Sequence, residues 1–270
     1  MTDWSRYIEL PPPVDVLDMP LAPLDKASLA ATAVARAKAG VPTTACYANA
    51  HTMNLAWRDD QFRRVLTDSD LLYADGASLV WASRWSRARL PERMTAADYF
   101  PLMAAACAEA GVSIFLLGNQ PGVVDKAAEV LTRDFPTLRI TGKHHGHFDL
   151  AQSDRIIEHI NSTRPDIVFV GMSSPRQEMW LAEHGHKLTA PVKWCVGALF
   201  DYYAGVERRG PVWMCRMGCE WLYRLLMDPV GKWRRYLVGN PVFVFRTLKW
   251  AFGRRSVKDG GVGIRTGQMV

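Results

Sequence analysis

The sequence predicts an α/β fold: a Rossmann-like parallel sheet with helices on both faces, plus a C-terminal helical, basic appendage. Three observations carry that expectation. Short apolar runs alternate with helical stretches at residues 71–74, 112–117, 166–170 and 192–196. Strands covered on both faces read as such unbroken runs, and their alternation with helices implies a parallel sheet. Three of the runs end in turns that open helices, at Asp75-Gly76, at 118–122 and at 171–175, which places all three turns on one sheet edge. From Pro211 onward the pattern changes to basic and aromatic residues at helical spacing.

Taken in order, a proline-rich start (1–13) precedes a helix over 26–39 closed by Gly40. A strand over 43–48 arrives at Asn49-Ala50-His51, and 53–66 reads as one helix with a charged outer face. The strand 71–74 leads to a helix over 77–84 and then to a loop, 90–95, carrying Glu92 and Arg93. An alanine-rich helix, 97–110, ends at Gly111. The next units are strand 112–117, turn 118–122, helix 123–135, strand 138–143, helix 153–162, strand 166–170, turn 171–175 and helix 176–184. The last strand, 192–196, runs into Gly197-Ala198-Leu199-Phe200-Asp201. Trp213, Met217, Trp221 and Leu225 then recur at i+4, with Arg216, Glu220 and Arg224 on another face, so an amphipathic helix is expected up to Pro229. The expected units are therefore a Rossmann-like domain over 1–210, the appendage over 211–255 and a glycine-rich disordered tail over 256–270.

The chain has 270 residues and is 49% hydrophobic, enough for one large domain with an appendage. Residues 1–13 lack the charged and apolar regions of a signal peptide, and no apolar run is long enough to span a bilayer. Five cysteines, an odd number with no C-x-x-C pair, fit a reducing cytoplasm. Cys215 and Cys219 at i, i+4 could share a helix face, but packing explains two thiols better than zinc. The net charge of +6 is uneven: residues 208–255 hold 11 bases and two acids, 11 − 2 = +9, which leaves 6 − 9 = −3 elsewhere. A basic end on a near-neutral body points to an anionic partner, membrane or nucleic acid.

Asp75 is the first candidate for chemistry, since a carboxylate at the C-terminal end of a strand lies where open α/β sheets bind ligands; a helix N-cap is the structural alternative. The turn Gly118 to Gly122 suits a diphosphate, because glycines let backbone N–H groups approach a phosphate, although an ordinary tight turn has the same composition. In Ser173-Ser174-Pro175-Arg176-Gln177-Glu178, capping and dipole account for Ser173 or Ser174, Pro175 and Glu178 but not for Arg176 or Gln177. A guanidinium and an amide beside a helix start suit a phosphate and a sugar hydroxyl. His144, His145 and His147 lack a carboxylate at ligand spacing apart from Asp149, so no metal site is expected. The glycines of 261–267 have the wrong spacing for a dinucleotide fingerprint, and Walker, G-x-S-x-G and H-E-x-x-H motifs are absent.

Together these pieces resemble the WecG/TagA/CpsF family of bacterial glycosyltransferases, the surface polysaccharide and teichoic acid type. The matching residues are Asn49, Phe62-Arg63, Ala74-Asp75-Gly76, Glu92-Arg93-Met94-Thr95, Phe115-Leu116-Leu117-Gly118 and Val170-Gly171. They continue with Ser174-Pro175-Arg176-Gln177-Glu178, Val196-Gly197, Phe200-Asp201, Glu220-Trp221-Leu222-Tyr223-Arg224 and Trp233-Arg234-Arg235-Tyr236-Leu237, so the likeness runs from about residue 14 to about residue 245. The resemblance implies inverting, metal-independent transfer of a hexose or N-acetylhexosamine from a UDP-sugar to a lipid-linked, polyprenyl-diphosphate saccharide acceptor, with no cofactor. It implies Asp75 as catalytic base. It places Asn49, Gly76, Arg93, Thr95, Gly118, Gly171, Ser174, Pro175, Arg176, Gln177, Glu178 and Asp201 in the substrate site, with Arg209, Arg216 and Arg224 as candidates for the diphosphate. It also implies an appendage that holds the enzyme on the anionic inner face of the plasma membrane, and no nucleic acid.

The sequence departs from the family at several points. Tyr47 stands where many members have threonine, Ala96 and Met172 replace common glycines, and Gly210 replaces an alanine. These departures leave the donor sugar open between glucose, N-acetylmannosamine and others, and Asn49-Ala50-His51 resembles the exopolysaccharide members. The oligomeric state stays open, a homo-oligomer included. The competing readings are a non-catalytic Rossmann-like module whose basic tail binds nucleic acid, and a nucleotide-dependent oxidoreductase, which the missing glycine fingerprint disfavours.

Overall fold

A computed structural model describes the chain from Thr2 to Asp259. A short antiparallel hairpin, β1 (Val14–Val16) and β2 (Met19–Leu21), comes first; its strands are too short to stand out in the sequence. The main unit then runs through α1 (Lys26–Lys38), β3 (Thr43–Ala48), α2 (Ala50–Ala56), α3 (Asp60–Thr67), β4 (Leu71–Ala74), α4 (Ala77–Ala82) and α5 (Ala96–Ala110). It continues with β5 (Ser113–Gly118), α6 (Val123–Asp134), β6 (Arg139–His144), α7 (Ser153–Ser162), β7 (Ile167–Gly171), α8 (Arg176–His184), β8 (Val192–Cys195) and α9 (Leu199–Tyr203).

Six strands form one parallel sheet in the order β4-β3-β8-β7-β5-β6. Side chains alternate between its two faces. Leu72, Ala74, Phe115, Leu117, Val168 and Val170 pack with α2, α3, α7 and α8. Leu71, Tyr73, Ile114, Leu116, Ile167 and Phe169 pack with α1, α5, α6 and α9. Every residue of β4, β5, β7 and β8 is buried, which is why these strands read as unbroken apolar runs. β5 and β7 meet at Gly118 and Gly171, where a Cβ added to Gly118 would lie 2.4 Å from the Gly171 carbonyl oxygen.

Two expected helices are divided. Within 53–66, the Asp59 carboxylate accepts from the Phe62 N–H at 3.0 Å and starts α3 afresh. After Pro211, α10 (Val212–Arg216) and α11 (Glu220–Met227) are separated at Gly218, whose φ is +74°. The break dissolves the expected apolar stripe: Trp213 and Met217 are exposed, whereas Leu225 is buried. It also leaves Cys215 and Cys219 in different elements rather than on one helix face. Asp228 then caps α12 (Pro229–Trp233), a π-helical turn spans Arg234–Val238, and α13 (Gly239–Asp259) follows. Of the tail expected to be disordered, residues 256–259 belong to α13, and residues 260–270 lie outside the described residues.

The appendage packs on the main unit. Phe243 is buried in the core, and Asn54 of α2 donates to the Gly239 carbonyl and accepts from Arg246, both at 2.7 Å. Arg246 also stacks over Trp57, and the Trp250 indole N–H donates to Asp18 in the hairpin turn at 3.1 Å. Among the described residues no helix is long and apolar enough to cross a membrane.

Candidate active site

A cavity of about 590 Å³ opens above the C-terminal ends of β3, β4 and β8 and the turn after β7, walled on the far side by α11, the π-helical turn and α13. This is the edge on which open α/β sheets carry their sites.

Asp75 follows β4 directly and lines this cavity. Its backbone N–H donates to the Ala48 carbonyl, extending the pairing with β3 by one residue. It caps no helix: α4 begins after Gly76, without a side-chain cap. Asn49, at the equivalent position after β3, is the N-cap of α2. Its Oδ1 accepts from the His51 and Thr52 N–H groups at 3.0 Å each, which turns its Nδ2 toward Asp75 Oδ2, also at 3.0 Å. The helix cap therefore fixes the amide that orients the carboxylate. Burial raises the Asp75 carboxyl above its ordinary value, while the Asn49 hydrogen bond and the charges of Arg224 and Arg235 pull it back.

The opposite wall is cationic. Arg224 on α11 stacks over Tyr202 at 5.1 Å and lies 3.3 Å from Glu220 and 3.7 Å from Glu207. Arg235 lies in the π-helical turn, close enough for its charge to act on Asp75, Tyr47 and His51. Arg93 lines the cavity and joins the main unit to the appendage, 2.9 Å from Asp98 and 3.9 Å from Glu220. Asp98 is the hub of this network. Thr95 and Arg209 also donate to it, and they and Arg93 outweigh burial to hold its carboxyl below the ordinary value. Pro101 lacks an N–H, so the Ala97 carbonyl one turn earlier is free to accept from Arg209 at 3.3 Å.

Of the residues singled out in the sequence, Asp75, Asn49, Gly76, Arg93, Thr95, Ser174 and Arg224 face one cavity. The others do not line it. Gly118 and Gly171 serve the close approach of β5 to β7. Pro175 leads into α8, and Arg176 donates to the Phe148 carbonyl at 2.8 Å. Gln177 is fully buried and acts from behind the wall: its Oε1 accepts from the Gly197 N–H at 3.0 Å, holding the loop that forms part of the cavity. Glu178 accepts from Ser174 at 2.6 Å and from Gln177 at 2.8 Å, and burial pushes its carboxyl up. Asp201 lies outside the cavity, where burial raises its carboxyl above the ordinary value, Arg209 anchors Asp98, and Arg216 is exposed at the end of α10.

Cavity residues that the sequence reading did not assign to the site include Tyr47, His51, Trp81, Tyr202, Trp221, Arg235 and Asn240. Tyr47 shares a 3.0 Å hydrogen bond with Ser174, and burial lifts its hydroxyl well above the ordinary value. Burial lowers the His51 imidazole to about 4, with Arg235 acting in the same direction, so the ring is neutral near pH 7. The Trp233 to Leu237 motif was a signal for Arg235, but nothing local showed that this exposed residue, stacked over Tyr236 at 5.5 Å, also lines the cavity. Beyond the cavity, His144 and His145 stack at 4.4 Å, and among the described residues no group of three or more His, Cys, Asp or Glu is placed to hold a metal.

A carboxylate that can take a proton, facing guanidinium groups that can hold an anionic leaving group, defines a group-transfer enzyme of the α/β class. The family profile described as "Glycosyl transferase WecG/TagA/CpsF family" matches residues 14–257, and the chain belongs to that family of glycosyltransferases. It is similar to an N-acetylglucosaminyldiphosphoundecaprenol N-acetyl-beta-D-mannosaminyltransferase of Staphylococcus aureus (strain MW2), 28% identical over 213 residues, 78% of this chain and 80% of the relative. A protein of the same description from Bacillus subtilis (strain 168) is 29% identical over 194 residues, 72% of this chain and 74% of the relative.

Proposed function

We propose that the protein moves a hexose or N-acetylhexosamine from a UDP-sugar to a hydroxyl of a lipid-linked, diphosphate-bearing saccharide at the inner face of the plasma membrane, with inversion and without a metal, in exopolysaccharide or other surface polysaccharide synthesis. The observation that carries this reading is Asp75, held by the Asn49 amide at 3.0 Å in a cavity that it shares with Arg93, Arg224 and Arg235. The names of the relatives, with their undecaprenyl-diphosphate acceptors, support the acceptor class.

In this scheme the Asp75 carboxylate takes the proton of the acceptor hydroxyl as its oxygen attacks the anomeric carbon. The bond from that carbon to the diphosphate breaks, and its electron pair leaves with UDP. Charge grows on the departing diphosphate, and Arg224 and Arg235 on the wall that the appendage supplies offset it. The raised pKa of Asp75 makes it a better proton acceptor than an exposed aspartate.

The test is Asp75→Asn, assayed over a panel of UDP-sugars with a polyprenyl-diphosphate N-acetylglucosamine acceptor. Transfer falls by roughly 10²- to 10⁴-fold. The melting temperature at pH 7 stays at or above that of the parent. The folded carboxyl titrates above its unfolded value, so its ionisation weakens the fold as pH rises through that window and costs nothing below it. Full activity in the variant removes Asp75 as the base, and activity lost to a chelator removes the metal-free scheme.

A further inference from the structure

The segment that closes α4 forms a second basic, aromatic surface that neither the scheme above nor the appendage uses. From Trp81 to Pro91 it reads W-A-S-R-W-S-R-A-R-L-P, with three arginines and no acid. Arg84, Arg87 and Arg89 are exposed, and among the described residues none of them makes a hydrogen bond or ion pair. Some arginines of the main unit are engaged, Arg36 with Thr43, Arg93 with Asp98 and Arg176 with Phe148, but this bend gathers three unengaged ones within six residues.

The base of the segment is fixed. The buried Ser83 hydroxyl donates to the Val80 carbonyl at 2.8 Å and accepts from the Leu90 N–H at 3.1 Å, which clamps the two ends together. Leu90 is buried in the core, and Ser86 donates to the Asp15 carbonyl of β1 at 2.6 Å. The arginines thus project from an anchored bend. Trp85 meets Trp81 edge-on at 4.8 Å, and Trp81 lines the cavity, so an aromatic pair connects this surface to the cavity wall. Trp81 packs in the same cluster as Phe243 and Trp250 of α13, and Phe245 and Phe252 on that helix are exposed.

We propose that the bend at Arg84, Trp85, Arg87 and Arg89 is a lipid-contacting rim on the catalytic unit itself, which binds anionic phospholipid headgroups beside the cavity. An ordinary soluble surface mixes both signs of charge; this segment carries a single sign beside an aromatic pair, with the exposed Asp15 of β1 at its edge. Guanidinium groups pair with phosphate in a forked geometry, and tryptophan favours the headgroup layer. The inference rests on the reading that the acceptor is lipid-linked: such an acceptor keeps its diphosphate at the membrane surface, so the surface beside the cavity meets headgroups.

The test uses the full chain and phosphatidylcholine vesicles with and without 30% phosphatidylglycerol, about a third of the lipid as anionic charge. Three arginines replaced together, Arg84→Gln, Arg87→Gln and Arg89→Gln, weaken binding to the anionic vesicles by about fivefold each, on the order of 100-fold in all. Binding to pure phosphatidylcholine, the melting temperature and transfer to a short-chain, water-soluble acceptor stay at parental values. The corresponding triple lysine variant keeps much of the anionic binding. Parental binding of the glutamine variant to anionic vesicles overturns the proposal, as does an equal loss on both vesicle types. Loss of DNA binding in a mobility-shift assay with vesicle binding intact also overturns it and points to nucleic acid. If the parent transfers sugar from no UDP-sugar, the functional reading fails, while the vesicle series still decides the rim.

Discussion

Asn49 has two tasks, and they can be separated. Its Oδ1 starts α2 and its Nδ2 steadies Asp75. Serine is an equally good N-cap but has no amide to reach across. Asn49→Ser therefore leaves the melting temperature within a few degrees while removing the hydrogen bond that lowers the Asp75 pKa. The base must be ionised to act, so the acid limb of kcat/KM moves to higher pH. A pH profile between 4 and 8 measures it, and an unmoved limb would mean that Asn49 does not govern the base. Gln177 teaches a different lesson about single residues. Its chemistry suggests a ligand contact, yet the structure spends both ends of the amide on protein, Gly197 on one side and Glu178 on the other. Side-chain type names what a group can bind; partners at long sequence distance decide what it does bind.

At the scale of elements, the turn after β5 and the break after α10 use glycine for different reasons. Gly118 is needed for proximity: its Cα side faces the Gly171 backbone, with no room for a methyl group. Gly218 is needed for its φ of +74°, and an added Cβ would also sit 3.0 Å from the Ala77 Cβ. Gly218→Ala is expected to cost about 1 kcal/mol or more and to loosen α10 and α11, read as faster hydrogen exchange there with the sheet unchanged. Unchanged exchange would show that the appendage tolerates a straighter path. Strands β4, β5, β7 and β8 were legible in the sequence because each is buried on both faces, and helix 176–184 kept its span although neither expected serine caps it: α8 follows Pro175 without a side-chain cap, and the Ser174 hydroxyl donates to Glu178 instead. The helix expected over 53–66 was misread because its apolar spacing continues across Asp59, which nonetheless begins a new helix. The amphipathic reading from Trp213 failed because one glycine outweighs a regular i+4 spacing. The strand order and the Arg93–Asp98–Arg209 network were invisible, since both depend on contacts between residues far apart in the chain.

For the whole molecule, charge is the main organiser. Residues 208–255 carry 11 bases against two acids, a segment charge of +9. Part of that charge is neutralised on the main unit, where Lys232 and Arg224 meet Glu207 and Arg209 meets Asp98. The remainder, with exposed Trp213, Met217, Trp233 and Phe245, suits a headgroup layer. Binding of the full chain to anionic vesicles should fall steeply between low and physiological salt, as the Debye length contracts from about 30 Å at 0.01 M to about 8 Å. Transfer to a soluble acceptor should change little over the same range. Equal salt sensitivity of both would place the dominant charge interaction inside the cavity rather than on the surface.

The cavity wall is assembled from both halves of the polypeptide, beginning at Tyr47 and finishing at Val244. A ribosome makes the sheet first, and the sheet can begin to fold as it emerges. The chamber for the reaction cannot be enclosed until α13 has left the exit tunnel. A chain made only as far as the sheet therefore carries Asp75 without Arg224 and Arg235, so the proposed transfer has to wait until α13 is made.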